Sequence, residues 1–204
     1  MAKNLMDRSN DMYERLHESI KAKVTLTPEE KETIKHYFIP KKLRKRQYLL
    51  NAGDVCQYLA FVEKGLLRLF STDDKSHEHV IQFAMEGWWA SDMSSFLSGD
   101  DAQYNIEALE DSELLLLTNT TLEELMEKVP RMERYFRLLM QNNIVALRRR
   151  VTSTQSDSAE EKYKKLMKAY PDLINRSPQH DLASYLGITP ETLSRIRKQI
   201  STKK

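Results

Sequence analysis

The sequence predicts an α+β protein in which a small antiparallel sandwich or barrel precedes a group of helices. Short β-prone segments separated by turn signals recur about every 10–12 residues between residues 41 and 118. After Thr120 the apolar residues recur at helical steps of three and four. The charge changes at nearly the same place: residues 1–130 carry 16 Lys/Arg and 23 Asp/Glu, whereas residues 131–204 carry 16 and 7. A basic second part is typical of a protein that binds a polyanion.

Length and composition exclude several classes of protein. The 204 residues are 40% hydrophobic and 30% charged, which suits one domain or two small ones. No apolar run approaches the roughly 20 residues that cross a bilayer, and the N-terminus lacks the apolar core of a signal peptide. We therefore expect a soluble, cytoplasmic protein with no membrane partner. The single cysteine, Cys56, excludes an internal disulfide and a four-thiolate iron–sulfur cluster within one chain.

The first elements follow from local signals. The spacing of Leu5, Met12, Leu16 and Ile20 predicts a helix near the N-terminus, and the capping box that begins at Thr27 predicts a second. The predicted strands then cover residues 43–49, 58–62, 66–70, 79–83, 105–109 and 113–118. Trp88 and Trp89 are adjacent, so we expect one of them to lie in the core and the other to pack on a loop or helix.

A long helix is predicted from about Arg131 to about Thr152, and a polar hinge is predicted over residues 153–157. Arg148, Arg149 and Arg150 at the end of this helix indicate a solvated face. The apolar stripe of the helix either covers the sheet of the same chain or forms a two-chain coiled coil, and its three heptads are near the minimum for a coiled coil. In the second interpretation the dimer interface consists of Phe136, Met140, Ile144, Leu147 and Val151.

The most specific segment of the sequence predicts a helix-turn-helix. Leu182, Ala183 and Leu186 give a short helix one apolar face. Gly187 permits the positive φ of a tight turn, and Thr189 followed by proline is a typical helix start. Two helices joined by a short turn that contains glycine form this motif.

The second helix of this motif is two-sided. Leu193, Ile196 and Ile200 cluster on one face, and Glu191, Ser194, Arg195 and Lys198 cluster on roughly the opposite face. Arginine can bond guanine O6 and N7, glutamate can accept from a cytosine amino group, and serine can bond either base. We therefore expect the DNA-binding residues to be Thr189, Glu191, Thr192, Ser194, Arg195 and Lys198.

In its order of elements, the chain over about residues 20–200 resembles the Crp–Fnr superfamily of bacterial transcription regulators. The resemblance implies an antiparallel, double-stranded, jelly-roll-like β-roll (1–130), a dimerisation helix (131–152) and a helix-turn-helix domain (153–204). The pattern Glu191-x-x-Ser194-Arg195 resembles the base-reading signature of the Fnr branch, which implies a TTGA-like half-site. The expected partners are double-stranded DNA with a near-palindromic operator, a second copy of the chain, and RNA polymerase. Only six residues follow Lys198, so we expect the family's β-hairpin wing to be absent or minimal.

In family members that bind cyclic nucleotides, a Gly-Glu pair holds the ribose and an Arg-Ser or Arg-Thr pair holds the phosphate. Ser91-Asp92 and Gln103-Tyr104 stand at these positions here. A buried phosphate without its cation costs about 3–5 kcal/mol, so we expect the chain not to depend on cyclic AMP and assign it no cofactor. The ligand-pocket candidates are Ser91, Asp92, Met93, Gln103 and Tyr104.

Two alternatives come from other classes of protein. His77 and His79 have the His-x-His spacing of metal-dependent cupin enzymes, but Phe83 and Ala84 stand where the cupin motif has its acid. We therefore expect no metal site, no catalytic residue and no enzyme activity. The other alternative is a small-molecule-binding β-roll module whose helical tail binds proteins without specific DNA binding.

Overall fold

The computed structural model describes residues 12–202 of the chain. Its helices are α1 (Glu14–Lys21), α2 (Pro28–Lys35), α3 (Met93–Ser98), α4 (Asn119–Lys128), α5 (Arg131–Ser156), α6 (Ala159–Ala169), α7 (Pro171–Arg176), α8 (Gln179–Leu186) and α9 (Pro190–Thr202). Its strands are β1 (Ile39–Leu43), β2 (Tyr48–Leu50), β3 (Leu59–Lys64), β4 (Leu67–Thr72), β5 (Glu78–Ala84), β6 (Trp89–Ala90), β7 (Asn105–Ala108) and β8 (Ser112–Leu117). This order confirms the predicted α+β fold class.

The strands form two four-stranded sheets, in the orders β1-β8-β3-β6 and β2-β7-β4-β5. In the first sheet, β8 lies between β1 and β3 and pairs antiparallel with both. The apolar run from Leu114 to Leu117 is buried throughout, which explains why the sequence does not alternate there. The connection from β3 to β4 turns at Gly65, whose φ is +104° and where a Cβ would lie 2.2 Å from the Ser112 hydroxyl oxygen. Only glycine fits at this position.

The core of the β-roll includes side chains from α1, α2, α4 and the first turns of α5. Trp89 packs half-buried against it, with ring centroids 5.1 Å from Phe61 and 5.4 Å from Phe136. The indole N–H of Trp89 also donates to the Tyr135 hydroxyl over 3.1 Å. Trp88 packs half-buried against the same core, so the expected division into one core and one peripheral tryptophan is not seen.

Helix α1 is tied to this core by a carboxylate from β3. Its N-cap residue, Tyr13, supplies no side-chain cap. Instead, Glu63 accepts the backbone N–H groups of Leu16 over 2.8 Å and of Arg15 over 3.0 Å. Glu63 is only 7% exposed, and its burial raises the pKa of its carboxyl group to about 7. The bonds from the two amides lower the pKa but do not outweigh burial. The first helix is therefore capped by a residue that lies 47 positions further along the chain.

The chain divides into two compact units: one holds the residues up to Leu69 and Phe83–Met140, and the other holds Phe70–Gln82 and the residues from Gln141 on. The second unit has its own buried apolar residues, which are Phe70, Val80, Tyr163, Leu166, Leu173, Ile174, Leu182, Ala183, Leu186, Leu193 and Ile196. Within it, Ser184 on α8 accepts the N–H of Val80 over 2.9 Å and donates to the carbonyl of Glu78 over 3.0 Å. The domain boundaries predicted from the sequence stay a prediction.

Two predicted segments differ from the structure. The strand predicted over residues 43–49 consists of the end of β1, a turn and the start of β2, because Arg46 takes a left-handed φ of +69°. The hinge predicted over residues 153–157 is helical up to Ser156. There the hydroxyls of Thr154 and Ser156 each donate to the carbonyl four residues earlier, which satisfies these side chains without ending the helix.

The capping box predicted at Thr27 is present, and a second capping box begins α6 at Ser158. Leu5, used to predict the first helix, lies outside the described residues. Within residues 12–202, no helix combines the length and the apolar character that crossing a membrane requires.

Candidate nucleic-acid interface and ligand pocket

The helix-turn-helix is built by α8, a three-residue turn and α9. Gly187 ends α8 with a left-handed φ of +67°, and the N–H of Ile188 bonds back to the carbonyl of Ala183 over 3.0 Å. Thr189 then begins α9, since its hydroxyl accepts the N–H of Thr192 over 3.2 Å. The side-chain amide of Gln179 joins the starts of the two helices by donating to the carbonyl of Pro190 over 3.2 Å.

Helix α9 has the two faces that its sequence predicts. Leu193 and Ile196 are buried on one side, and Thr189, Glu191, Ser194, Arg195 and Lys198 are exposed, with Thr192 half-buried. Together with Gln179 and Pro190, four of the exposed residues line one open groove: Glu191, Ser194, Arg195 and Lys198. Bonds from its own backbone N–H and from the Thr189 hydroxyl lower the pKa of Glu191. The groove thus presents a carboxylate, a hydroxyl and two cations on one helix.

The exposed stripe on α5 begins beyond the β-roll core. Met132, Tyr135 and Phe136 are buried in that core. Phe136, predicted in the dimer interface, is only 7% exposed and packs on Trp89, so this part of the prediction is wrong. Further along, the predicted apolar side chains are exposed, at 37% for Met140, 54% for Ile144, 60% for Leu147 and 52% for Val151. Val145, which the sequence analysis did not select, is 48% exposed beside them.

Arg150, predicted on a solvated face, is half-buried instead. Its guanidinium donates to the carbonyls of Ile81 and Tyr185 and lies over the Tyr185 ring, 4.2 Å from its centroid. Stacking on an aromatic ring suits the planar guanidinium, which explains why this arginine is not solvated like its neighbours.

The structure brings together the two segments that the sequence assigned to the ligand pocket. Asp92, only 2% exposed, caps α3 by accepting the N–H of Ser95 over 3.3 Å at Oδ1. Its Oδ2 accepts the N–H of Gln103 over 2.8 Å and the N–H of Tyr104 over 3.3 Å. Ser91 is turned toward the carbonyl of Tyr58, to which its hydroxyl donates over 3.2 Å. The remaining candidates differ in exposure: Gln103 is exposed, whereas Met93 and Tyr104 are half-buried.

The histidines of the β4–β5 hairpin bind a carboxylate of the chain. His77 Nδ1 lies 3.3 Å and His79 Nε2 lies 3.2 Å from Oδ2 of Asp73. The backbone N–H of His77, with these rings, holds the pKa of Asp73 far below its usual range. A different cluster has metal-ligand residue types: single ligand-type atoms of Glu78, His180 and Asp181 lie within 4.8 Å of one another. The absence of a metal site stays a prediction.

The sequence analysis missed a buried ion pair in the β-roll. Arg68 on β4 donates to Glu107 on β7 through Nε over 2.7 Å and lies 2.6 Å from the same oxygen through Nη2. The two side chains are 8% and 10% exposed. Their separation of 39 residues leaves no local signal, and only the pairing of two strands could have revealed it.

Parts of the chain are similar to known proteins. Residues 40–129 match the family of cyclic nucleotide-binding domains. The chain is 25% identical over 169 residues to the fumarate and nitrate reduction regulatory protein of Vibrio cholerae, a match that covers 76% of this chain and 66% of that protein. The chain thus spans slightly less than two thirds of that relative's length.

Solved structures agree with this relationship at the level of the fold. The structure of the c-di-GMP-responsive global regulator CLP of Xanthomonas campestris matches with a TM-score of 0.69 at 14% identity, over 87% of this chain and 93% of that one. The structure of FixK2 from Bradyrhizobium japonicum matches with a TM-score of 0.69 at 17% identity, over 81% and 85% of the two chains.

The chain thus contains a β-roll that matches the cyclic nucleotide-binding domain family. A long helix and a helix-turn-helix follow it. The similar curated proteins carry the names of regulators. In sequence and in fold the chain is thus similar to the Crp–Fnr superfamily of transcription regulators.

Proposed function

We propose that the chain is a homodimeric, sequence-specific DNA-binding regulator of transcription. The observation that carries this proposal is the two-sided helix α9, which buries Leu193 and Ile196 and exposes Glu191, Ser194 and Arg195. A recognition helix needs such an apolar back on its own domain and a polar front for the major groove. The regulators among its relatives support the same function.

Base reading follows from the chemistry of the exposed face. Arg195 bonds guanine through O6 and N7, and Glu191 accepts from the amino group of cytosine. A glutamate carboxylate is ionised at neutral pH, as an acceptor role requires, and the lowered pKa of Glu191 acts in the same direction. The resemblance of Glu191, Ser194 and Arg195 to the Fnr-branch signature supports a TTGA-like half-site.

The homodimer is formed by the exposed stripe of α5. Met140, Ile144, Leu147 and Val151 lie at successive steps of four, three and four residues, which is the spacing of a coiled-coil seam. Burying an apolar side chain of this size contributes about 1.5–3 kcal/mol, so that a second copy gives these residues a large stabilisation. A twofold dimer places two recognition helices about 34 Å apart and reads a near-palindromic operator.

The other features of the proposal rest on the family. The β-roll, the dimerisation helix and the helix-turn-helix domain are the functional divisions, and RNA polymerase is the protein partner. Regulation takes place in the cytoplasm and includes no catalytic step. These features are supported by relatives that are regulatory proteins.

Selection of bound sites from random duplex DNA tests the central proposal. We expect a near-palindromic site with TTGA-like halves one helical turn apart. Enrichment of no sequence, with unchanged binding to random DNA, would contradict the proposal. Specific capture of a protein by the isolated full chain, without any DNA preference, would support the β-roll module with a protein-binding tail instead.

A pair of lysine substitutions tests the dimer. Replacing Met140 and Ile144 by Lys places charges in the apolar seam, so we expect sedimentation to show folded monomers. The control replaces Asn142 and Ala146 by Lys, which adds the same charge on the opposite face of the helix and should leave dimers. Dimers in both variants would place the interface elsewhere.

A further inference from the structure

The family of the β-roll implies a cyclic nucleotide, and the residues of this chain do not fit one. In the members that bind it, an arginine pairs with the phosphate, whereas here Gln103 is uncharged and exposed. The acid that holds the ribose is represented by Asp92, which is 2% exposed. Its carboxylate accepts hydrogen bonds from the backbone N–H groups of Gln103 and Tyr104. These two residues stand where the family holds the phosphate.

The two oxygens of Asp92 have different partners. Oδ1 makes an ordinary helix cap with Ser95. Oδ2 accepts two successive backbone N–H groups, at 2.8 Å and 3.3 Å. Backbone amides arranged in this way bind an anionic oxygen, because the bonds are charge-assisted. A phosphate oxygen approaching the same amides would compete with a carboxylate of the same sign.

The loop around Asp92 is held by the Ser95 hydroxyl and by backbone hydrogen bonds. The Ser95 hydroxyl accepts the N–H of Cys56 over 2.8 Å, and Ala102 donates its N–H to the carbonyl of Asp54 over 2.9 Å. The N–H of Gly53 returns a bond to the carbonyl of Ala102 over 2.8 Å. The loop is therefore held by hydrogen bonds within the chain.

We infer that the Asp92 carboxylate occupies the backbone amides of Gln103 and Tyr104 in place of a phosphate oxygen, which excludes cyclic nucleotides from the pocket. Asp92 is thus a specificity-determining residue of the pocket. This inference rests on the proposed function in one respect: the chain binds its operator without a nucleotide effector. The inference adds to the absence of an arginine at Gln103, because it identifies the group that takes the place of the phosphate.

The test compares the full-length wild type with Asp92→Ala. Hydrogen exchange at the amides of Gln103 and Tyr104 should become about 10- to 100-fold faster in the variant, because each loses a charge-assisted bond. Added acetate or inorganic phosphate should slow this exchange again by occupying the vacated position, and chloride should not. The matched control is Asp101→Ala, which removes an exposed carboxylate from the same loop and should leave exchange at both amides unchanged.

A second variant keeps the inference testable if Asp92→Ala does not fold. Asp92→Asn keeps the shape and one acceptor oxygen but removes the charge, so exchange at the two amides should be intermediate and still respond to acetate. Equal exchange in wild type, Asp92→Ala and Asp92→Asn would overturn the inference. Exchange that speeds up but is not slowed by acetate or phosphate would also overturn it, since Asp92 would then only hold the loop.

Calorimetry and DNA binding separate this inference from the proposed function. The wild type should bind neither cyclic AMP nor cyclic GMP, and its affinity for the selected operator should be the same with and without them. Micromolar binding of a cyclic nucleotide, or an operator affinity that rises when one is added, would overturn the inference and leave the proposed function standing. Failure to select any DNA site would instead contradict the proposed function, while the exchange measurements would still decide the role of Asp92.

Discussion

The polar groups of the pocket around Asp92 are hydrogen-bonded within the chain, whereas those of the groove on α9 are exposed to solvent. In the pocket, both carboxylate oxygens of Asp92 accept backbone N–H groups of the same chain. On α9, Ser194, Arg195 and Lys198 are exposed beside Glu191. A buried polar group must be satisfied when the chain folds, whereas an exposed group can meet its partner later at little cost. Polar residues of the β-roll interior are thus satisfied within the chain, whereas those of α9 are accessible to a partner.

The largest expected effect concerns the buried pair of Arg68 and Glu107. Replacing Arg68 by Met leaves a buried carboxylate without its cation, which should lower the free energy of unfolding by about 3–5 kcal/mol. Chemical denaturation of the variant measures this loss. The control is the double variant Arg68→Met with Glu107→Leu, which removes both charges and should recover most of the stability. Equal losses in the single and the double variant would show that packing, not charge, makes this site sensitive.

On the exposed side, Arg195→Ala should weaken binding to the selected operator by about 1–3 kcal/mol and relax the preference at one G·C pair. The free energy of unfolding should not change, because the side chain is exposed on α9. Titration of operator and random duplex DNA measures the two affinities. An equal loss on both DNAs would contradict the assignment of α9 as the recognition helix.

Lys198→Ala is the matched variant on the same face. Provided that Lys198 contacts phosphate, its loss should weaken all sequences alike and reduce the slope of the salt dependence by about one. Affinities measured over a series of salt concentrations give this slope. A loss confined to the operator would assign Lys198 to base reading instead.

Local chemistry explains what could be predicted from the sequence. The turn between α8 and α9 was predictable, because a left-handed Gly187 and a capping Thr189 act within a few residues of their partners. The strand predicted over residues 43–49 was wrong because nothing local indicates that Arg46 takes a positive φ. The predicted hinge was wrong because the polar side chains of Thr154 and Ser156 are satisfied on the helix itself.

Contacts between distant segments explain what could not be predicted. The stripe on α5 is continuous in sequence, so its period could not show that Phe136 is covered by its own β-roll while Ile144 is exposed. The sequence selected Asp92 for the pocket, but its bonds to the amides 11 and 12 residues later depend on the shape of the loop. The residues selected from the sequence stay predictions of function, and the atoms that satisfy their polar groups could be identified only from the structure.

The smallest expected effect is a pH dependence at Glu63, which extends the comparison to a titratable group of the β-roll interior. Its carboxylate caps α1 from β3, and Arg15 and Glu14 on α1 are the charged groups that act on its pKa. Burial raises the pKa from 4.5 to about 7 in the folded state, so the folded protein binds this proton more tightly than the unfolded chain does. The resulting stabilisation is fully present below pH 4.5 and is lost as the pH rises through about 7.

The variant Glu63→Gln keeps an acceptor for the helix N–H groups without the charge, so its free energy of unfolding should vary less between pH 5 and pH 8 than that of the wild type. The difference should be on the order of 1 kcal/mol, because the bonds from the helix N–H groups favour the ionised form and oppose the effect of burial. Urea denaturation at several pH values measures it, and Glu14→Gln, which removes the smallest of the contributions to the pKa of Glu63, should change the profile less than Glu63→Gln does. Operator affinity at neutral pH should be the same in all three proteins, since Glu63 caps a helix of the β-roll. A wild-type stability that rises across this range relative to Glu63→Gln would mean that the bonds from Leu16 and Arg15 outweigh burial, and Glu63 would then act as an ionised cap.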